Sequence, residues 1–280
     1  MGYIPPAGNP PNLSARLSSI IPVASLIYYS YSTLWAANEL GREMDIKEFC
    51  LAHRFDMSKC AVASGGGSFE LTDLKTSPVE FLSLAEDDFE RGGLSALVNA
   101  TTNVKRAIVC QLDQLLISFG YPSFRWNVPK KIEQLRALGL LAPSLLRKAV
   151  GMRNILEHEY ETPELKVVEE ALDIASLFVM SASAMFIPFE DVLEFSLPNG
   201  PAEGSAVTHI TAGLNRESRG VFYTVYAYEP GEFGGLCVGQ CEIQSRHVLF
   251  ESMVKLSASL MLRYKVNQAL KDFDAAYAKL

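Results

Sequence analysis

Long uncharged apolar runs, internal repeats and low-complexity segments are all missing from this 280-residue chain. Its most apolar N-terminal run, residues 20–37, carries a proline with several serines and tyrosines and is flanked by Arg16 and Glu39. That run reads as a buried helix rather than a membrane span. The opening M-G-Y-I-P-P-A-G-N-P-P is proline-rich and lacks a basic start leading straight into an apolar stretch, so no secretory signal is read and a cytoplasmic location is expected. Cysteine is scarce, with five residues, an odd count without framework spacing. This suits free thiols in a reducing compartment better than disulfides. Cys50, His53 and Cys60 form one grouping and Cys237, Cys241 and His247 another, but neither has the paired C-x-x-C spacing of a zinc site. No metal or cofactor is expected. A basic balance is lacking too: the net charge is −7, which excludes coating of nucleic acid through bulk electrostatics.

What is present is a core-sized apolar fraction of 49%, enough for one large domain or two modest ones. The charge is also unevenly distributed. Arg125, Lys130, Lys131, Arg136, Arg147, Lys148 and Arg153 face the single acid Glu133, a local excess of about six positive charges. The sign then reverses through Glu157, Glu159, Glu161, Glu164, Glu169, Glu170 and Asp173. Two readings stand: a pair of solvated helix faces, or a basic approach to one site on an otherwise acidic protein.

The pattern along the chain gives an α+β protein, predominantly helical. Region 1–74 reads as mainly helical, with one helix over 13–40 or a pair broken near Pro22, another over 46–55, and a flexible turn at Ser64-Gly65-Gly66-Gly67-Ser68. That turn lacks the lysine of a phosphate loop. Region 75–187 reads as a bundle of four to five helices. Ser77 caps the first of them, Gly92-Gly93 is expected to kink it or divide it from a long helix over 94–119, and Gly120 with Pro122 stops that one. Further helices are expected over 132–138, 143–160 and 167–185. Glu86, Asp87, Asp88 and Glu90 make an acidic patch, solvated or metal-holding. Region 188–280 reads as an antiparallel meander, with strands over 192–197, 206–212, 220–228 and 236–243, followed by a helical segment, 247–280. The strand over 220–228 is expected to be central and covered on both faces.

The stretch Arg153 to Tyr160, R-N-I-L-E-H-E-Y, sets a permanent cation, an amide and an imidazole just before Thr162-Pro163, at an expected helix end. Histidine moves protons near neutral pH, and arginine offers a forked donor of fixed charge. Together they suit attack of a ribose 2′-hydroxyl on its neighbouring phosphate. At 100° per residue, positions five apart lie about 140° around a helix, so Arg153 and His158 do not share a stripe. Asn154 and His158 do. Blander roles remain open: Arg153 as a surface partner of Glu157, His158 as a residue favoured by the helix dipole, Tyr160 as a packing residue.

R-x4-H followed by x-Y, with asparagine directly after the arginine and a helix ending at proline, resembles the HEPN superfamily of helical nucleases and nucleotide-binding proteins. The similarity runs from about Pro78 to Met185. It implies a central HEPN-like helical bundle and a homodimer in which two motifs face one cleft and cut RNA without a metal ion. Arg153 and His158 would then be the catalytic pair, Asn154 a supporting residue, and Glu157 and Tyr160 supporting or regulatory. Lys130, Lys131, Arg147 and Lys148 would line the approach of the RNA. The resemblance further implies a toxin or anti-phage defence effector, with an antitoxin or sensor as a possible partner and no membrane. In one branch of the family the tyrosine is nucleotidylated by an antitoxin. A non-catalytic module that binds a nucleotide or RNA and regulates a partner protein is the alternative.

Overall fold

The computed structural model describes residues 44–67, 69–140, 164–186, 189–231 and 235–280. The protein is α+β, with a five-stranded antiparallel sheet and seven α-helices among those residues. It divides into two compact units. One takes the described residues up to Gly66 with those of Glu190–Asn215 and Phe222–Leu280, and the other takes the described residues of Gly67–Phe189 with Arg216–Val221. No described helix is long and apolar enough to cross a membrane.

In the first unit, α1 (Ile46–Ala52) starts on Asp45, whose carboxylate accepts the Glu48 amide. β1 (Ala61–Gly65) follows, a strand where the sequence pattern shows only the start of a flexible turn. It pairs with β2 (Val192–Ser196), which pairs with β3 (His209–Glu217), and β4 (Gly220–Glu229) and β5 (Leu236–Gln244) complete the order β1-β2-β3-β4-β5. A segment read as part of the N-terminal region therefore supplies an edge strand to the C-terminal sheet. Expected strand 206–212 begins three residues later and runs on through Asn215 and Arg216. Propensity alone disfavours that asparagine in a strand, but its side chain donates to Thr224 Oγ1 at 2.9 Å.

Strand alternation assigns the buried face. Leu193 and Phe195 lie opposite Ala212 and Ile210, and Tyr223 and Val225 opposite Ile243 and Cys241, all of them buried. Helices α6 (Val248–Met261) and α7 (Val266–Tyr277) cover this face, with Phe250 against Tyr223 and Phe273 against Phe195. α1 crosses β5 where His53 and Phe49 ride over Gly239; a Cβ there would come 2.4 Å from His53 Nε2. β4 is buried continuously from Val221 to Val225, as expected of a strand covered on both faces, but it lies next to the edge, and β3 is the central strand.

The C-terminal helical segment is two helices. Arg263 adopts φ 50° at the end of α6, and the amides of Arg263 and Tyr264 bond back to the carbonyls of Leu260 and Ser259. This is the two-bond helix stop usually built on glycine. α1 ends in the same way on Arg54, φ 50°, at Ala52 rather than at Phe55.

Three histidines of this unit have pKa values lowered by burial: His53, His209, stacked at 4.9 Å on Tyr228, and His247, whose Nδ1 caps α6 by accepting the Leu249 amide. Nearby carboxylates oppose the shift without reversing it. The unfolded chain therefore takes up protons near pH 6.5 while the folded chain still resists them, so stability is lost as pH falls below that value. Urea midpoints measured between about pH 7.5 and 5 are expected to decline, less steeply in His247→Asn, which keeps a capping acceptor that does not titrate. A midpoint independent of pH over that interval would contradict this.

The second unit is helical. α2 (Pro78–Arg91) opens with a reciprocal cap: Ser77 Oγ accepts the Glu80 amide at 3.1 Å, the Glu80 carboxylate accepts the Ser77 amide, and Pro78 occupies the first turn. Gly92-Gly93 separates it from α3 (Leu94–Ser118), which Gly120 ends at φ 84°. α4 spans Val128–Ala137. It starts four residues before the sequence pattern suggests, because Asn127 caps it and Pro129 is tolerated in a first turn. α5 (Leu165–Phe186) packs against α2 and α3. Four phenylalanines close one end of the unit: Phe119 lies 4.9 Å from Phe69, 5.8 Å from Phe186 and 5.9 Å from Phe189.

Candidate functional site

Arg147, Lys148, Arg153, Asn154, Glu157, His158 and Tyr160 lie outside the described residues, as do the expected helices over 13–40 and 143–160. The described chain brings two members of the basic stretch to the end of α3, and it treats them differently.

Lys130 is exposed, with its ammonium 4.2 Å from the centre of the Trp126 ring. Arg125 and Arg136 are exposed as well. Lys131, expected on an RNA approach, is instead enclosed at 3% exposure, with its Nζ 2.7 Å from Asp113 Oδ2. The other oxygen of Asp113 accepts the Ser123 hydroxyl at 2.5 Å. Neighbouring lysines on a helix point about 100° apart, so only one of them could share the buried face. The ion pair ties α3, the short turn Ser123–Arg125 and α4 together, and it takes Lys131 away from any surface role.

The acidic patch on α2 is similarly divided. Asp88 is buried, accepting from Arg91 at 2.8 Å and from Asn103 at 3.2 Å, while Glu86, Asp87 and Glu90 are exposed. Among the described residues no three histidines, cysteines or carboxylates gather in a way that could hold a metal ion. All five cysteines are free. Burial pushes the Cys50 thiol up to about 11, so it stays protonated at neutral pH and packs as a small apolar residue.

Beside the ion pair, α2, α3 and the Ser123–Arg125 turn enclose an open groove of about 460 Å³. Phe81, Val109 and Phe124 give it apolar walls, and Lys105 and Arg106 bring cations to it. The guanidinium of Arg106 lies 6.0 Å from the centre of the Phe81 ring, and Phe124 is 69% exposed. Asp113 contributes its paired carboxylate and Cys110 its thiol, which donates to the Thr76 carbonyl. Burial, reinforced by the charges of Asp113 and Glu80, raises Cys110 to about 11, so the groove contains no thiolate nucleophile at neutral pH. Sequence reading missed this place. Phe81 reads there as a core position of α2, and only the adjacent Lys105-Arg106 pair and the aromatic Phe124 beside Trp126 hint at it.

No family model, curated protein or solved structure matches this chain. The groove and the basic turn are therefore interpreted from their own chemistry, and the motif from its residues.

Proposed function

We propose that the protein is a metal-independent endoribonuclease of HEPN type that works as a homodimer, with Arg153 and His158 of two copies sharing one cleft. The observation that carries this reading is the R-N-I-L-E-H-E-Y motif, which stands in the sequence between α4 and α5 and is followed, after Glu161, by Thr162-Pro163. The long α3 ahead of it and the exposed Arg125, Lys130 and Arg136 agree with such a reading. In the reaction, the ribose 2′-oxygen forms a bond to the adjacent phosphorus and the bond to the 5′-oxygen breaks. His158 takes the proton from the 2′-hydroxyl and a proton returns to the 5′-oxygen, leaving a 2′,3′-cyclic phosphate and a 5′-hydroxyl. Arg153 offsets the charge that gathers on the phosphorane oxygens, and Asn154, four residues before His158, has a supporting role. A role as toxin or defence effector, regulated through Tyr160, belongs to the same proposal.

The test is incubation of RNA in EDTA with wild type, Arg153→Ala and His158→Ala. Cleavage by the wild type and its loss in both variants is the expected result. RNA retained without cleavage would put the protein with non-catalytic binders, and neither retention nor cleavage would end both readings. A variant held monomeric yet fully active would refute the shared cleft.

A further inference from the structure

We propose that the groove between α2, α3 and the Ser123–Arg125 turn is a binding site for a small aromatic anion, its ring against Phe81 and Phe124 and its anionic group on Arg106. The site lies wholly within the helical unit and its chemistry does not depend on the motif.

Size comes first. At about 460 Å³ the groove is in the range of small-molecule sites, and apolar walls with a few convergent charges are the usual composition of such sites. The second point is the state of its charges. The one carboxylate among the described lining residues is engaged: Asp113 accepts from Lys131 and from Ser123. An incoming ligand therefore meets Arg106 as the charge that selects it, and it selects an anion. Arg106 also lies over Phe81, where its planar guanidinium can hold an anion by two parallel hydrogen bonds while the ring below keeps it oriented.

Third, the aromatic lip is fixed in place. Phe124 is 69% exposed, an expensive position for a phenyl ring in water, and it sits between two residues that the structure anchors. Ser123 is fully buried and bonded to Asp113, which itself is locked to Lys131. The Trp126 amide closes the turn on the Ser123 carbonyl at 2.8 Å. A buried ion pair is a poor source of stability by itself, and here its geometric effect is to hold an exposed ring at the mouth of a cationic groove. Flat rings on aromatic side chains with a neighbouring cation suit nucleobases and aryl acids alike. The shared chemistry is a ring bearing a phosphate or carboxylate.

The test is titration calorimetry on the full chain with phenyl phosphate, benzoate and AMP, alongside ribose 5-phosphate, which lacks the ring, and benzyl alcohol, which lacks the charge. The ring-bearing anions should bind one per chain, and the two incomplete probes about tenfold more weakly or worse. Arg106→Ala and Phe124→Ala should each weaken the best probe by about tenfold; Arg106→Lys should recover part of the loss and Arg246→Ala, in the other unit, should change nothing. Both affected residues are exposed, and circular dichroism will show whether the variants keep their helices. AMP binding tightest would indicate a nucleotide source, and phenyl phosphate or benzoate a smaller aryl acid. Arg153→Ala and His158→Ala should bind the probes like wild type, which separates this site from the motif. Unaltered binding in Arg106→Ala and Phe124→Ala, or no binding of any ring-bearing anion, would overturn the proposal.

Discussion

Lys131→Ala is expected to destabilise the helical unit by about 3–5 kcal/mol, the scale for removing one partner of a buried ion pair. The lysine is 3% exposed and its Nζ lies 2.7 Å from Asp113, a residue only 6% exposed. Without the ammonium, Asp113 keeps the Ser123 hydroxyl as a neutral donor and is left as a buried negative charge between α3 and α4. Three elements meet at that carboxylate, so the effect should extend to the position of the Ser123–Arg125 turn. Replacing both partners at once, Asp113→Leu with Lys131→Met, removes the buried charges together and should restore most of the lost stability. Urea unfolding of Lys131→Ala, of Asp113→Leu alone and of the double variant makes the comparison. A single-variant loss below about 1 kcal/mol would mean the pair is solvated and does not organise the turn.

Phe119→Ala is expected to cost about 3–5 kcal/mol, the range for emptying a large aromatic site in a core. Phe119 is fully buried, it closes α3, and it touches Phe69, Phe186 and Phe189 from one position. Its removal would open one cavity facing segments that come from both ends of the unit. Those rings already contact one another, with Phe186 and Phe189 5.1 Å apart, so they have little freedom to collapse into the space. Phe119→Leu should lose less, because it keeps much of the volume and apolar area. The comparison is read from urea midpoints, and equal losses for the two variants would show that ring packing is not what holds this end together.

Helix ends show how far the sequence could be read. Gly120 and Gly139 both adopt positive φ two residues past the end of a helix, and each helix is closed by paired back-bonds from the glycine's own amide and the one after it. A glycine in that position advertises the stop, and Ser77 with Glu80 advertises the start of α2 equally well. Arg54 and Arg263 make the same stop without glycine. Nothing local identifies them, since a left-handed arginine is unfavourable by itself and is held only by what the surrounding helix and its packing gain. The helix break within 247–280 was invisible for that reason.

The candidate sites divide in the same way. The motif from Arg153 to Tyr160 is legible because its chemistry lies in eight consecutive residues. The groove is not, because Phe81, Arg106 and Phe124 come from three elements, and no spacing in the chain relates a helix position to one 25 or so residues on. Lys130 and Lys131 read as equals in sequence. Burial made one a partner of Asp113 and left the other over Trp126.

The amino-acid order by itself determined the α+β class, most of the described helix and strand positions, the cap on α2 and the glycine stop of α3, since apolar periodicity and turn chemistry act over a few residues. Tertiary packing alone decided that β1 joins the sheet beside β2, that Lys131 is enclosed, and that a cationic aromatic groove forms beside the Asp113 ion pair. Each of these depends on desolvation and on contacts between segments far apart in the chain, and those energies exist only once the chain has folded.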